Sequence, residues 1–446
     1  MDRFKQLRNI FKGDRVIWCV FFMLCVISIV EVYSASSSLG YKSGNYWWAA
    51  VYHAALLFVG LLAMICVLNV KCKYFKVVTP LLVPASFVML ILVFIIGTTE
   101  NDAARWLKLF GIIPIQPSEI AKGAMVLATA QILSGMQTED GAAPKAMKYI
   151  LITAAFLIGP IAPENLSTAG LLFLVVLMMM IIGRVPLAQL GKLISVIAIL
   201  GIVAVGIVMG VGKTSSESRM ASNDKVAGMH MTETSSGVRT VGAEEEDETG
   251  FAYKLTHRLG TWKSRIVKHL DSKYVPADSF DLDKDGQVGH ANIAIVSSNI
   301  YGRGPGNSVE RDFLSQAFSD FIYAIVIEEL GIEGAAFVAF LYIILLVRTG
   351  TIAKKCKNPF PAYLAMGLAL LMVTQALFNM CVAVGLAPVT GQPLPLISKG
   401  GTSSIINCIY IGVILSISRT AMRIDAADVD DFDGTVQKKY VRVRNK

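Results

Sequence analysis

The sequence predicts an all-α polytopic membrane protein with about ten transmembrane helices and one large extracytoplasmic loop. Three observations carry that prediction. The first is composition: 54% of the 446 residues are apolar and only 17% are charged, against roughly 25% charged in soluble domains. The second is the distribution of the apolar residues. They fall in long runs without Lys, Arg, Asp or Glu, and a run of about 18 residues crosses the hydrocarbon as a helix. The runs are continuous rather than alternating, so helices rather than barrel strands satisfy the backbone. The third is the sorting of Lys and Arg onto alternate connections, as the positive-inside rule requires.

Taken in order, the runs fall at 16–35, 47–69, 77–97, 118–136, 149–162, 167–183, 190–212, 320–347, 360–384 and 400–418. The first follows a basic stretch (Arg3, Lys5, Arg8, Lys12, Arg15). Its length and the spans after it make it a retained helix, with cleavage near Ser34–Ala35 as the alternative. The fifth is short and interrupted by Gly159–Pro160, and the fourth begins with polar residues.

One set of connections holds the tail 1–15, Lys71/Lys73/Lys76, Lys145/Lys148, Arg184/Lys192, Arg348/Lys354/Lys355/Lys357 and the basic tail 419–446. The alternate short loops hold little beyond Lys42, Arg105, Lys108 and Lys399. Both termini are therefore expected in the cytoplasm. The domains that follow are tail 1–15, spans one to seven (16–212), an outer loop 213–319, spans eight to ten (320–418) and tail 419–446.

The outer loop is too long for a simple connector. Residues 213–250 are rich in Ser, Thr and Gly, end in the acidic cluster Glu244–Glu248, and read as disordered. Phe251, Leu255, Leu259, Trp262, Ile266 and Leu270 recur at helical spacing. They form an amphipathic helix that lies either on the membrane or on its own domain. In 281–292, Asp281, Asp283, Asp285 and Gly286 match the first half of a calcium loop. Asn292 stands where a bidentate Glu belongs, which favours a polar turn over calcium.

Several function classes are excluded. The seven cysteines form no CxxC pair and avoid the long loop, so neither a disulfide framework nor a zinc site is expected, and the five histidines lack ligand spacing. The charge of +8 sits in short loops and tails and is no nucleic-acid signature.

Ionisable residues near or inside spans suggest function, because a mid-bilayer charge costs roughly 2.5–3.5 kcal/mol on insertion scales. Glu119 and Lys122, at i and i+3, can pair, either as an anchor or as part of a site. Glu164 lies in a short outer loop beside Asn165. Asp320 opens the eighth span, with Glu328 and Glu329 roughly 12 Å deeper at 1.5 Å per residue. Helical rotation places Glu328 and Glu329 on different faces, so at most one joins Asp320. Two Gly-rich stretches, 301–308 and 385–404, imply irregular backbone that is buried in protein or lines a cavity. Exposed amides there, beside Arg303, Arg311 and Lys399, suit a phosphate or pyrophosphate.

Together these stretches resemble the SEDS family (shape, elongation, division and sporulation). The residues that carry the resemblance are ARWLKLFGIIPIQPSEIAKGAM at 104–125, PENLSTA at 163–169, NIAIVSSNIYGRGPGNSVERDFLSQAFSDFIYAIVIEELGIEG at 292–334 and GLAPVTGQPLPLISKGGTSS at 385–404. The resemblance covers nearly all the membrane part. It implies a peptidoglycan glycosyltransferase of the bacterial cytoplasmic membrane that polymerises lipid II with inversion, releasing a polyprenyl diphosphate. It also implies a class B penicillin-binding protein as transpeptidase partner, alongside other divisome or elongasome proteins, with a lean toward the division-septum type. A flippase for lipid II and a non-catalytic scaffold are the alternatives.

In the family the acid opening the eighth span is the proposed catalytic base, and that position is Asp320. The Arg, Glu and Lys of its first motif fall on Arg105, Glu119 and Lys122. Arg105, Lys122, Arg303 and Lys399 are the candidates to hold the pyrophosphate, with Glu119, Glu164 and Glu328 in support. No metal-ligand cluster is legible, although a Mg or Mn ion could bridge Asp320 and the pyrophosphate. The chain departs from the family pattern at Phe318 (often His), Asn165 (commonly Asp) and Lys399 (commonly Tyr).

Overall fold

A computed structural model of the chain describes residues 11–36, 48–96, 98–100, 103–109, 113–211, 282–314 and 317–421. The expectations for 213–250, for the amphipathic segment 251–270, for Asp281 and for both tails lie outside them.

The described residues are mostly helical, with a helix at every predicted span. They are α1 (Arg15–Ala35), α2 (Trp48–Asn69), α3 (Lys73–Ile96), α4 (Pro117–Gly135), α5 (Pro144–Glu164), α6 (Leu166–Ile182), α7 (Leu187–Val211), α8 (Leu282–Ser297), α9 (Ile322–Lys354), α10 (Pro359–Ala383) and α11 (Thr402–Ala421). Seven of them, α1, α2, α3, α5, α9, α10 and α11, are long and apolar enough to cross a membrane, and α6 and part of α7 are shorter apolar helices. The chain is a multi-pass membrane protein. By its contacts the chain divides into two units, residues 1–189 with 281–446 and residues 190–280.

Local sequence explains the helix ends. Asp14 caps α1, its Oδ1 accepting from the amides of Val16 and Ile17 at 2.9 and 3.2 Å. Its Oδ2 takes a 2.8 Å bond from Arg348 Nε of α9, so one carboxylate both caps a helix and ties two together. Pro117, Pro144 and Pro359 stand in the first turn of α4, α5 and α10, where a missing N–H costs nothing. Asn165 caps α6, accepting from Thr168 N at 3.0 Å. Asn and Asp cap about equally well, so the family's Asp is replaced without loss of this bond.

Burial separates core from lipid face. Nearly three quarters of α10 and α11 is inside the molecule, against about a quarter of α2 and α3. Helix α10 packs on α4, α6 and α9. Helices α2 and α11 approach through glycine: a Cβ on Gly60 would lie 2.7 Å from Cys408 Sγ, and one on Gly412 2.8 Å from Met64 O. Small residues allow such backbone approach where lipid removes the hydrophobic drive.

Three expectations need correction. The fifth span is not interrupted: α5 runs unbroken through Gly159 and Pro160. Pro160 and Pro163 lie in its last turns, and each forgoes only its own bond to the carbonyl four residues back while the helix continues past it. The segment read as a polar turn or calcium loop is helical from Leu282, which removes the sharp bend that a calcium loop needs at Gly286. The connection before α4 is extended chain. Strands β1 (Thr98–Glu100), β2 (Ala103–Leu109) and β3 (Ile113–Ile115) form an antiparallel sheet in that order. A second hairpin pairs β4 (Gln137–Thr138) with β5 (Gly141–Ala142).

The third correction concerns α9. It is two helices merged across Gly331, whose φ of 73° and ψ of −175° break the spiral. Asp320 stands before the first of these, in a non-helical turn. Helical rotation therefore does not relate it to Glu328 or Glu329.

Candidate functional site

The turn 317–321 is fastened from below by apolar packing. Ala317 and Phe321 are buried with Ala35, Ala291, Ala294, Leu314, Ala324 and Ile325, and Phe318 packs against that cluster. Asp320 itself is partly exposed, and Ser319 Oγ donates to its Oδ1 at 3.0 Å. The main chain of the turn is also held. Lys399 N donates to Phe318 O at 2.9 Å, Ser398 Oγ to Ser319 O at 2.5 Å, and Asn379 Nδ2 to Asp320 O at 2.8 Å.

These donors bring the second Gly-rich stretch to Asp320. Residues 385–401 have no regular structure, and Gly385, Gly391, Leu396 and Gly401 take positive φ. Buried irregular backbone needs partners, and side chains from three helices supply them. Asn379 Nδ2 donates to Gln392 O at 2.7 Å and Gln375 Nε2 to Pro393 O at 3.0 Å, both from α10. Tyr342 OH of α9 donates to Pro395 O. Ser28 Oγ of α1 donates to Ile397 O at 2.8 Å. Since the Ser28 hydroxyl proton is used there, His53 Nε2 of α2, 2.7 Å away, is the donor to Ser28 Oγ. From the stretch itself, Gln392 Nε2 reaches Thr168 Oγ1 of α6, next to the Asn165 cap.

Lys399 sits at this junction. Its ammonium lies 4.9 Å over the ring of Phe318, and burial holds its pKa below the ordinary lysine value. Two departures from the family pattern, Phe318 for His and Lys399 for Tyr, are thus in contact with each other as a cation–π pair.

Glu119 and Lys122 form the pair that their spacing predicts, at 2.8 Å, with side chains 3% and 1% exposed. Lys122 Nζ also donates to Gln375 Oε1 at 2.7 Å, and Tyr410 OH donates to Glu119 O at 2.7 Å. Lys122 is therefore a buried tie between α4 and α10, not a cation facing a ligand. Glu119 supports it as expected.

Glu328 and Glu329 both face the first Gly-rich stretch. Glu328 accepts from Ser308 Oγ at 2.5 Å and Val309 N at 3.0 Å, with Arg303 Nη1 at 3.5 Å. Glu329 accepts from Gly306 N at 2.9 Å, Ser308 N at 3.2 Å and Ser34 Oγ of α1. The two lie on different faces, as helical rotation predicts, and one loop straddles the helix and meets both. Arg311 Nη1 donates to Ser34 Oγ and Gly306 O at 2.9 and 2.7 Å. Arg303 is half committed to Glu328 and also donates through Nε to Ser297 O at 3.4 Å.

Arg105 lies in β2, and its side chain is outside the described residues. Glu164 is the last residue of α5, beside the Asn165 cap. Among the described residues no three His, Cys, Asp or Glu side chains gather closely enough to hold a metal. Asn379, Gln375, Gln392 and Ser398 were not singled out from sequence. The legible signal was Gln375 and Asn379, two amides four residues apart on one face of an apolar span.

Comparison with known proteins places this arrangement. The model of the FtsW, RodA and SpoVE family, described as cell cycle protein, matches residues 14–222 and 250–423. A probable peptidoglycan glycosyltransferase FtsW from Halomonas elongata is 28% identical over 404 residues, covering 88% of this chain and 87% of the relative. The protein of that name from Bacillus subtilis strain 168 is 26% identical over 406 residues, covering 89% and 88%. Among solved structures, a chain from a peptidoglycan synthase complex, described for its coordination of polymerization and crosslinking, aligns with a TM-score of 0.65. It is 19% identical and covers 92% of this chain and 99% of that one. The rod shape determining protein RodA of Thermus thermophilus aligns with a TM-score of 0.58 at 19% identity, covering 92% and 98%.

Proposed function

The chain belongs to the FtsW, RodA and SpoVE family of cell cycle proteins, and from that premise we propose that it is a division-type peptidoglycan glycosyltransferase. Its substrate in this reading is lipid II, an undecaprenyl-diphosphate-linked disaccharide peptide, polymerised at the outer face of the bacterial cytoplasmic membrane. The activity is that of its curated relatives. One observation carries the reading to particular residues. A partly exposed carboxylate, Asp320, and a half-buried ammonium, Lys399, are held on adjoining segments by the bond from Lys399 N to Phe318 O.

Asp320 acts as general base, taking the proton of a sugar 4-hydroxyl. That oxygen attacks C1 of the other sugar as the bond from C1 to the diphosphate oxygen breaks. The α-linked donor becomes a β-linked product in a single inverting displacement, and undecaprenyl diphosphate leaves with the bonding pair. Charge grows on the diphosphate in the transition state, and a cation fixed beforehand at that position lowers the barrier. Lys399 is the best placed of the candidates, with Arg303 second. Arg105 stays a candidate on sequence alone. A Mg or Mn ion would take the Asp320 carboxylate as a protein ligand and would supply positive charge to the departing diphosphate.

A class B penicillin-binding protein is the proposed partner, consistent with the solved complex that joins polymerization to crosslinking. Other divisome or elongasome membrane proteins complete the assembly.

The test is incubation of the purified chain with labelled lipid II, with and without the cognate transpeptidase. Long glycan strands are expected from the wild type and none from folded Asp320→Asn. Movement of lipid II without strands would establish a flippase. No strands from the wild type in the presence of its partner would establish a scaffold. Full activity in Asp320→Asn would remove the base assignment.

A further inference from the structure

Three successive carbonyls lead into α9, and each is taken by a donor from outside the turn. Phe318 O accepts from Lys399 N, Ser319 O from Ser398 Oγ and Asp320 O from Asn379 Nδ2. The turn belongs to no helix or sheet, so no regular ladder fixes its main chain. Asn379 spends its two amide hydrogens on Asp320 O and Gln392 O, at 2.8 and 2.7 Å. One side chain thereby ties both the Asp320 turn and the Gly385–Ser404 stretch to α10. Ser398 closes its own turn as well, accepting from Leu394 N at 2.7 Å. Both side chains are buried, at 1% and 2% exposure, so neither reaches a substrate.

We infer that Asn379 and Ser398 are positioning residues that aim the Asp320 carboxylate at the attacking hydroxyl. The inference rests on the reading of Asp320 as base. The carboxylate is bonded to Ser319 Oγ at 3.0 Å, so it moves with the same two residues whose carbonyls are held. Reacting atoms must stand roughly 3–3.5 Å apart, and a misplacement of about 1 Å costs on the order of 10²-fold in rate. Loosening either tie lets the turn, and the carboxylate on it, sample positions away from that geometry. Asn379 fixes the residue that bears the carboxylate, and Ser398 fixes the residue before it.

The test measures kcat and KM for labelled lipid II with Asn379→Ala, Ser398→Ala and Ser398→Thr, each normalised to folded protein. Tyr363→Phe is the control. It removes a 3.0 Å bond to Gln137 from the same helix, about 24 Å away at 1.5 Å per residue. In Asn379→Ala and Ser398→Ala, kcat is expected to fall by about 10-fold or more with KM within about twofold. Ser398→Thr, which keeps the hydroxyl, retains the rate. Tyr363→Phe retains it too, even where its melting temperature falls as far as that of Asn379→Ala. If Asn379→Ala does not fold, the Ser398 pair decides by the same criterion. Unchanged kcat in the alanine variants, or a raised KM alone, with Asp320→Asn inactive, overturns the inference and leaves the base assignment standing. Activity in Asp320→Asn instead overturns the base assignment.

Discussion

Lys399 is the residue where burial and charge pull in opposite directions. Half withdrawn from water, its ammonium acts through a lower dielectric and bears more strongly on a developing diphosphate charge. The same burial lowers its pKa, so the charge is present at low pH and lost as pH rises, sooner than in an ordinary lysine. Arginine keeps its charge throughout. The alkaline decline of kcat should therefore move to higher pH in Lys399→Arg. Lys399→Met should lose about 10²-fold at neutral pH, the scale on which one electrostatic donor acts. A pH–rate profile of purified protein on labelled lipid II checks both, and an unmoved alkaline limb would assign the decline to another group. At this scale the sequence was partly readable. The i, i+3 spacing of Glu119 and Lys122 foretold their ion pair, and the motif position foretold an exposed acid at Asp320. Asn379 and Ser398 stayed hidden because they act on main-chain carbonyls. A sequence displays polar side chains in apolar runs, but it does not display which carbonyls a turn will leave without partners.

Among the elements, α9 departs furthest from its sequence pattern. An apolar run reads as one helix, and nothing in the pattern of 320–347 marks a break, since a lone glycine is tolerated in a helix at about 1 kcal/mol. The break has a tertiary cause. Residues 302–309 come against the helix so closely that a Cβ on Gly331 would lie 2.1 Å from Ile300 O, and one on Gly302 2.3 Å from Glu329 O. The carbonyls released at the break are reused: Glu328 O accepts from Arg303 N and Glu329 O from Gly304 N, at 2.9 and 2.8 Å. The Glu328 and Glu329 side chains grip the amides of Gly306, Ser308 and Val309 farther along. This clasp fixes the short helix that follows Asp320, and it joins that helix to Ser34 of α1. Gly331→Ala combines a forbidden φ with a backbone overlap and should destabilise by about 3–5 kcal/mol. Gly350→Ala, later in the same helix, is the comparison, because a Cβ there would meet only Met366 Sδ, at 3.8 Å. Melting temperatures of the two variants in detergent should differ clearly, with Gly331→Ala the lower. Equal melting temperatures would mean that the clasp yields without cost.

For the whole molecule, the distribution of cations argues for one orientation in the membrane. Lys71, Lys73 and Lys76 lie where α2 meets α3, Lys145 and Lys148 at the start of α5, and Lys354, Lys355 and Lys357 where α9 meets α10. Arg348 closes on Asp14 at the start of α1. Following the chain through its helices brings all of these to one end of the bundle. Asp320, Lys399 and the clasp come at the other. Positive connections remain in the cytoplasm, so the proposed function requires the Asp320 end to be the outer one, where a lipid-borne sugar and a transpeptidase domain would meet it. Thiol labelling decides this. In a variant with all seven cysteines replaced, Tyr301→Cys and Lys145→Cys mark opposite ends at side chains that are exposed in the structure. A membrane-impermeant maleimide added to intact cells or spheroplasts should label Tyr301→Cys at once and leave Lys145→Cys unlabelled until the membrane is opened. The reverse pattern would place Asp320 on the cytoplasmic side. The catalytic reading would then fail whatever the activity of individual variants, because the carboxylate and the growing glycan strand would lie on opposite faces of the membrane.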